Sequence, residues 1–174
     1  MTDLELLDDF EKKLPDIKDK LSEWLSDEFN IFEVLRISKM EIRYSNVFAW
    51  VLGPKGNHGQ KDFFLRGFLS QINFDYSSIY WDSFEVRREE NDIDILLISS
   101  KSNVVVAIEN KIDSKEHATS SGESQLTKYR KYVNSKYKDY RKKFLFLSKN
   151  GDEASEDESK YWKSIDYSLI FSLL

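Results

Sequence analysis

Cysteine is absent from the chain, and only two histidines, His58 and His117, occur in its 174 residues. Without thiols there are no disulfides and no thiolate metal sites, and two histidines leave little material for zinc. Any metal here is expected to be a hard cation held by carboxylates. Long apolar runs are missing too: nothing approaches the roughly 18 to 20 residues that a membrane helix needs. The acidic, amphipathic start, "MTDLELLDDFEKK", is no secretory signal. Together these absences lead to the expectation of a cytoplasmic protein with no membrane partner.

What is present suits a globular domain, with 40% hydrophobic and 33% charged residues. The length allows one proper hydrophobic core but not two comfortable ones. The net charge of −5 argues at first against a nucleic-acid partner. Its distribution says otherwise. Residues 1–33 carry four lysines against eleven acids, whereas residues 111–149 carry eleven Lys/Arg against four acids. Residues 150–174 return to acid, with two lysines against six carboxylates.

Apolar spacings of three and four predict a helix over 3–28 and short helices at "IFEVLRI" and "SNVFAWVL". "GPKGNHG" is a turn-rich break, and 60–72 predicts another helix. Strands are expected at about 82–90, 92–99 and 103–111. A helix should then begin near Ser120, where Glu123 completes a capping-box spacing, with Leu126, Tyr129, Val133 and Tyr137 on one face. The strand "KKFLFLS", an acidic loop and a last piece from about Ile165 close the chain. The order predicts a mixed α/β domain over 41–174, helices packed on a central sheet, behind an N-terminal helical extension over 1–40.

The segment "NDIDILLISSKSNVVVAIENKI" holds the anomaly. With the turn centred on Lys101 and Ser102, opposed residues have numbers summing to 203, and Asp94 faces Glu109. A loop of three or five residues would put them on opposite faces unless a bulge restored them. In the first register their Cβ atoms lie roughly 4.5 to 5.5 Å apart, and Lys111 points to the same face as Glu109. Like charges about 4 Å apart repel by about 4 kcal/mol at an effective dielectric of 20. A bound cation would resolve the conflict. The plain alternative is a strand end emerging into solvent, Lys111 paired to one acid.

Ile93-Asp94, fourteen residues, then Glu109-Asn110-Lys111 resembles the D…ExK signature of the PD-(D/E)XK nuclease superfamily. "QLTKY" from Gln125 to Tyr129 is similar to its Q-x-x-x-Y motif. "EIRYSNVFAWVLGPKGNHG" resembles the E-x-x-x-S…A-W-L-L-x-P…H block of a bacterial and phage branch, though Gly53 stands where that branch often has Asp. "FLFLSKNGDEAS" and "WKSIDYSLI" look like the branch's strand, turn and closing tyrosine-bearing helix. The resemblance implies a restriction-endonuclease-like αβββαβ core. Members of the branch usually run longer, which leaves open whether the chain is whole or lacks a C-terminal substrate-binding region.

Carried over by position, the resemblance implies a Mg²⁺ or Mn²⁺ site built from Asp94, Glu109 and the Asn110 carbonyl, with Glu41 either a further ligand or an acid supporting the ligands from behind. Lys111 would aid water activation, and Gln125 would contact the attacking water or a phosphate. Tyr129, Lys128 and Ser45 would meet substrate. The bland alternatives are a core Tyr129, Ser45 as a helix N-cap, a solvent-facing Glu41 and a surface His58. Lys128, Arg130, Lys131, Lys136 and Lys138 either track phosphates or form a solvated face. The implied activity is metal-dependent phosphodiester hydrolysis in nucleic acid, most simply DNA. The alternative is a catalytically silent nucleic-acid- or protein-binding subunit of the same fold. The acidic first thirty residues are expected to pack on a second copy or partner chain, or to shield the basic face.

Overall fold

The computed structural model of the protein describes residues 40–74, 78–112 and 123–173. The expected N-terminal extension, apart from Met40, lies outside the described residues, as do Ser120 and His117. The elements in chain order are α1 (Glu41–Leu52), α2 (Phe63–Gln71), a 3₁₀ turn (Trp81–Ser83), β1 (Phe84–Glu90), β2 (Ile93–Ser99), β3 (Val104–Lys111), α3 (Gln125–Lys136), β4 (Arg141–Ser148), β5 (Trp162–Asp166) and α4 (Tyr167–Phe171). No helix among the described residues is long and apolar enough to cross a membrane.

One five-stranded sheet runs β1-β2-β3-β4-β5. The first three strands form an antiparallel meander, and β4 and β5 add in parallel to β3. Parallel neighbours need a crossover, which α3 supplies between β3 and β4. Helices lie on both faces, as the α/β reading expected. On one face, Phe48 and Leu52 of α1 and Phe68 and Leu69 of α2 cover Ile95 and Val106. On the other, Leu126, Tyr129 and Val133 of α3 cover Leu96 and Ala107. Flanked on both edges and both faces, β3 is buried at every position. That is why it reads as an unbroken apolar run, not an alternation. Each fully buried Leu, Ile or Phe contributes about 1.5 to 3 kcal/mol.

The two hairpin turns set the register. Asn91 and Asp92 both take positive φ, 54° and 66°, the geometry of a type I′ connection between right-twisted strands. The loop over 100–103 joins β2 to β3, whose partners run from Ser99–Val104 to Ile95–Ile108. These pairs sum to 203, the register that sets Asp94 and Glu109 against each other. The ladder ends at Ile95, and the Asp94 side chain takes over: its Oδ2 accepts from the Asn110 backbone N–H at 2.8 Å.

Several expected boundaries move. α1 opens at Glu41, four residues ahead of Ser45, because Ser45 finds a tertiary partner inside the helix instead of capping it. α3 opens at Gln125, where the Ser124 hydroxyl accepts from the Thr127 N–H at 3.5 Å. The helix therefore does not start near Ser120. The segment "WKSID", expected within the closing helix, instead pairs Trp162 with Phe144 and Ile165 with Leu147 and forms the edge strand β5. Only five residues of closing helix remain.

Two acids tie α3 to its surroundings. Glu158, from the acidic loop, is 2% exposed and accepts from Thr127 Oγ1 (2.6 Å) and from Arg130 Nε and Nη2 (both 2.8 Å). Glu90, at the end of β1, accepts from Tyr132 (2.9 Å), Tyr137 (3.1 Å), Lys136 (2.8 Å) and Arg87 (3.0 Å). Burial pushes the Glu90 carboxyl up, but these donors outweigh it and hold the group down at about 2. A carboxyl depressed on folding stabilises the fold above its ordinary value of 4.5 and loses that contribution as pH falls toward 2. Glu90→Gln should therefore cost about 1 to 2 kcal/mol at pH 7. The deficit should shrink from pH 4.5 downward and vanish near 2, read by paired urea melts.

Candidate active site

Strand alternation divides the end of β3. Glu109 and Lys111 share the face that α3 covers, and Asn110 turns to the face of α1. Glu109 is 1% exposed and its Oε1 lies 2.9 Å from Lys111 Nζ. The second oxygen, Oε2, is buried with no hydrogen-bond partner. Glu41 reaches over from the start of α1: its Oε1 accepts from the Ile112 N–H at 3.0 Å, and its Oε2 lies 3.7 Å from Lys111 Nζ. Arg88 Nε donates to the Asp94 carbonyl at 2.7 Å, fixing the β2 side of the pair.

Burial raises the Asp94 carboxyl above its usual range, against the Asn110 N–H and the Lys111 charge. Burial together with the Asp94 charge pushes Glu109 up to about 8, against the pull of Lys111. For Lys111 burial alone would favour the neutral amine, but the charges of Glu109, Glu41 and Asp94 prevail and keep the ammonium protonated. This is no strand end in open solvent. Two acids and a cation are enclosed with one acceptor oxygen orphaned, at a cost relieved by keeping a proton on Glu109 or by a further positive group.

The donor set fits a hard cation in part. The orphaned Glu109 Oε2 and the facing Asp94 supply the oxygens such an ion takes. Among the described residues, however, no three His, Cys, Asp or Glu side chains converge as a metal-holding group. The expected ligand Glu41 is turned to Lys111 and the Ile112 N–H, so it does not complete such a group.

The helix residues divide as well. Gln125 Nε2 donates to Tyr129 Oη at 2.5 Å, and Gln125 Oε1 is buried without a partner. Tyr129 is 1% exposed within the α3 core. Burial, and after it the Glu109 charge, raises its phenol above the usual range. Tyr129 is thus the core residue of the two alternatives, packed beneath the acids. Ser45 is neither a cap nor exposed to substrate: it is fully buried, and its Oγ accepts from Asn110 Nδ2 at 2.9 Å.

The basic helix does not present a free phosphate track. Lys128 pairs with Asp92 at 2.7 Å, Lys131 with Glu123, Lys136 with Glu90 and Arg130 with Glu158. The first two pairs are solvent-exposed, worth little, and can exchange for a phosphate. Arg130 is bound to buried Glu158 and stacks on the Tyr161 ring at 3.9 Å, so it is structural. His58 is structural too: its Nδ1 accepts from the Gln60 N–H, so Nε2 carries the proton and donates to the Gly53 carbonyl at 2.9 Å. Residue-by-residue reading missed Tyr167, whose hydroxyl donates to Asn110 Oδ1 at 2.5 Å, and Arg88. The closing helix of "WKSIDYSLI" was the one available signal for Tyr167; Arg88 had none.

Glu109→Gln gives a direct test of this electrostatic strain. Above its unfolded value of 4.5 the wild-type acid increasingly favours the unfolded, ionised state, until the folded group ionises near 8. With EDTA present, Glu109→Gln should be more stable than wild type by about 1 to 3 kcal/mol at pH 7. The gain should grow from pH 4.5 to 8 and be absent below 4.5, measured by chemical denaturation at matched pH.

No curated protein and no solved structure matches the chain. A family model described as the PD-(D/E)XK nuclease superfamily matches residues 29–174, a span that holds the meander, its paired acids, Lys111 and the Gln125–Tyr129 turn of α3. The chain belongs to the PD-(D/E)XK nuclease superfamily.

Proposed function

We propose that this protein is a metal-dependent nuclease of the superfamily's bacterial and phage branch, hydrolysing phosphodiester bonds in DNA. One observation carries the reading: Asp94 and Glu109 stand together at the end of a buried hairpin, with Lys111 2.9 Å from one Glu109 oxygen and the other oxygen unsatisfied. Asp94, Glu109 and the Asn110 carbonyl would hold Mg²⁺ or Mn²⁺. Such an ion, when bound, supplies a Lewis acid for the phosphoryl group and lowers the pKa of its water.

The chain's own groups do the remaining work. Lys111 keeps its proton, so it serves as an electrostatic and hydrogen-bond donor to a non-bridging phosphate oxygen or the developing charge, not as a base. Glu41, 3.7 Å away, also steadies that ammonium. Gln125, with a buried carbonyl oxygen that has no partner, is suited to accept a hydrogen bond from the attacking water. Lys128 can leave exposed Asp92 and take a substrate phosphate.

Cleavage of single-stranded, duplex and supercoiled DNA with Mg²⁺, Mn²⁺ or EDTA tests the proposal, beside Asp94→Ala and Lys111→Ala. Metal-dependent cutting should fall by about a hundredfold or more in each variant. An intact chain that neither cuts nor binds Mn²⁺ would sink the nuclease reading and leave the silent binding subunit.

A further inference from the structure

Asn110 is the residue between the acid and the lysine, and its backbone N–H and both side-chain polar atoms have partners. Its backbone N–H goes to Asp94 Oδ2 at 2.8 Å. On the other face of the sheet, Nδ2 donates to Ser45 Oγ at 2.9 Å and to the Glu41 carbonyl at 3.2 Å, while Oδ1 accepts from the Tyr167 hydroxyl at 2.5 Å. Asn110 is 1% exposed and Ser45 fully buried, so water is not at hand to replace a lost partner.

Tyr167 comes from far along the chain, 57 residues on. The parallel register explains the meeting: Lys111 pairs with Ser148, and Ser148 with Asp166, so Tyr167 follows the residue in the same row two strands away. That separation is about 10 Å. A phenol can span it where a serine hydroxyl could not. The ring is held edge-on by Tyr44 of α1, at 5.9 Å and 79°, which aims the hydroxyl at Oδ1.

We propose that Tyr167 is a positioning residue: acting through Asn110, its hydroxyl fixes the placement of Asp94, Glu109 and Lys111. The inference rests on the nuclease reading for its effect on rate, but not for the contact itself. Asn110 is anchored on three sides: one hydrogen bond to Asp94, two to α1 and a last one to α4. Without the last, its side-chain amide can turn and the strand end carrying the acid and lysine can shift. Small misplacements of reacting groups cost large factors in rate. The β5–α4 segment is then part of the active site although none of its groups meets substrate.

Tyr167→Phe keeps the ring and its contact with Tyr44 and removes only the hydroxyl. Its kcat on DNA with Mg²⁺ should fall about ten- to a hundredfold, with KM for DNA unchanged and the protein folded at the assay temperature. In an Asn110→Ala background the same change should have no further effect. Wild-type kcat in Tyr167→Phe, or losses that multiply in the double variant, would overturn the proposal and leave the nuclease reading standing. If the unaltered chain does not cut, the nuclease reading fails, and exchange of the Asn110 side-chain amide protons decides on the latch. Exchange about tenfold faster in Tyr167→Phe upholds it, and equal exchange overturns it.

Discussion

The opposition of Asp94 and Glu109 across the β2–β3 hairpin is the constraint around which the rest of this structure is arranged. It follows from register, since a hairpin with a loop over 100–103 leaves Asp94 opposite Glu109 at the open end. It is enforced by burial, because β3 has neighbours on both edges and helices on both faces. Lys111 offsets part of the repulsion, but one Glu109 oxygen remains unsatisfied. Stability alone would replace such a pair with apolar residues. A binding site for a cation gives a reason for it to persist.

The surrounding elements act as supports for that pair. Arg88 and the Asn110 N–H hold Asp94 from the β1 and β3 sides. Glu41, at the first residue of α1, bridges Lys111 and the Ile112 N–H. The Asn110 side chain joins α1 to α4 behind the strand end. Farther out, Glu158 and Glu90 fasten α3 to the acidic loop and to the end of β1. Sites need such second layers, because the reacting groups tolerate little displacement.

Much of this was legible in the sequence, and the reasons differ by feature. The meander could be read because β2 and β3 are apolar runs separated by "SKSN" and preceded by the turn "END", and two-sided burial leaves that mark. The pair Asp94 and Glu109 was legible because charges stand out in such runs. The roles of Ser45 and Tyr167 were not, because each depends on Asn110, 65 and 57 residues away. Strand β5 was not legible either, because it is set by pairing with β4 across the acidic loop. In the basic run after β3, Lys128, Lys136 and Arg130 are paired with Asp92, Glu90 and Glu158, acids far off in the sequence. Charge counted along a chain says little about charge left over after folding.

The central claim is that the facing acids exist to hold a divalent cation. Crystals soaked in Mn²⁺, with anomalous diffraction collected at the manganese edge, test it most directly. The account predicts one strong peak bonded to an oxygen of Asp94 and to Glu109 Oε2, with Lys111 still beside Oε1. No peak there, or one at some other acidic cluster with Asp94 and Glu109 unmoved, would contradict it.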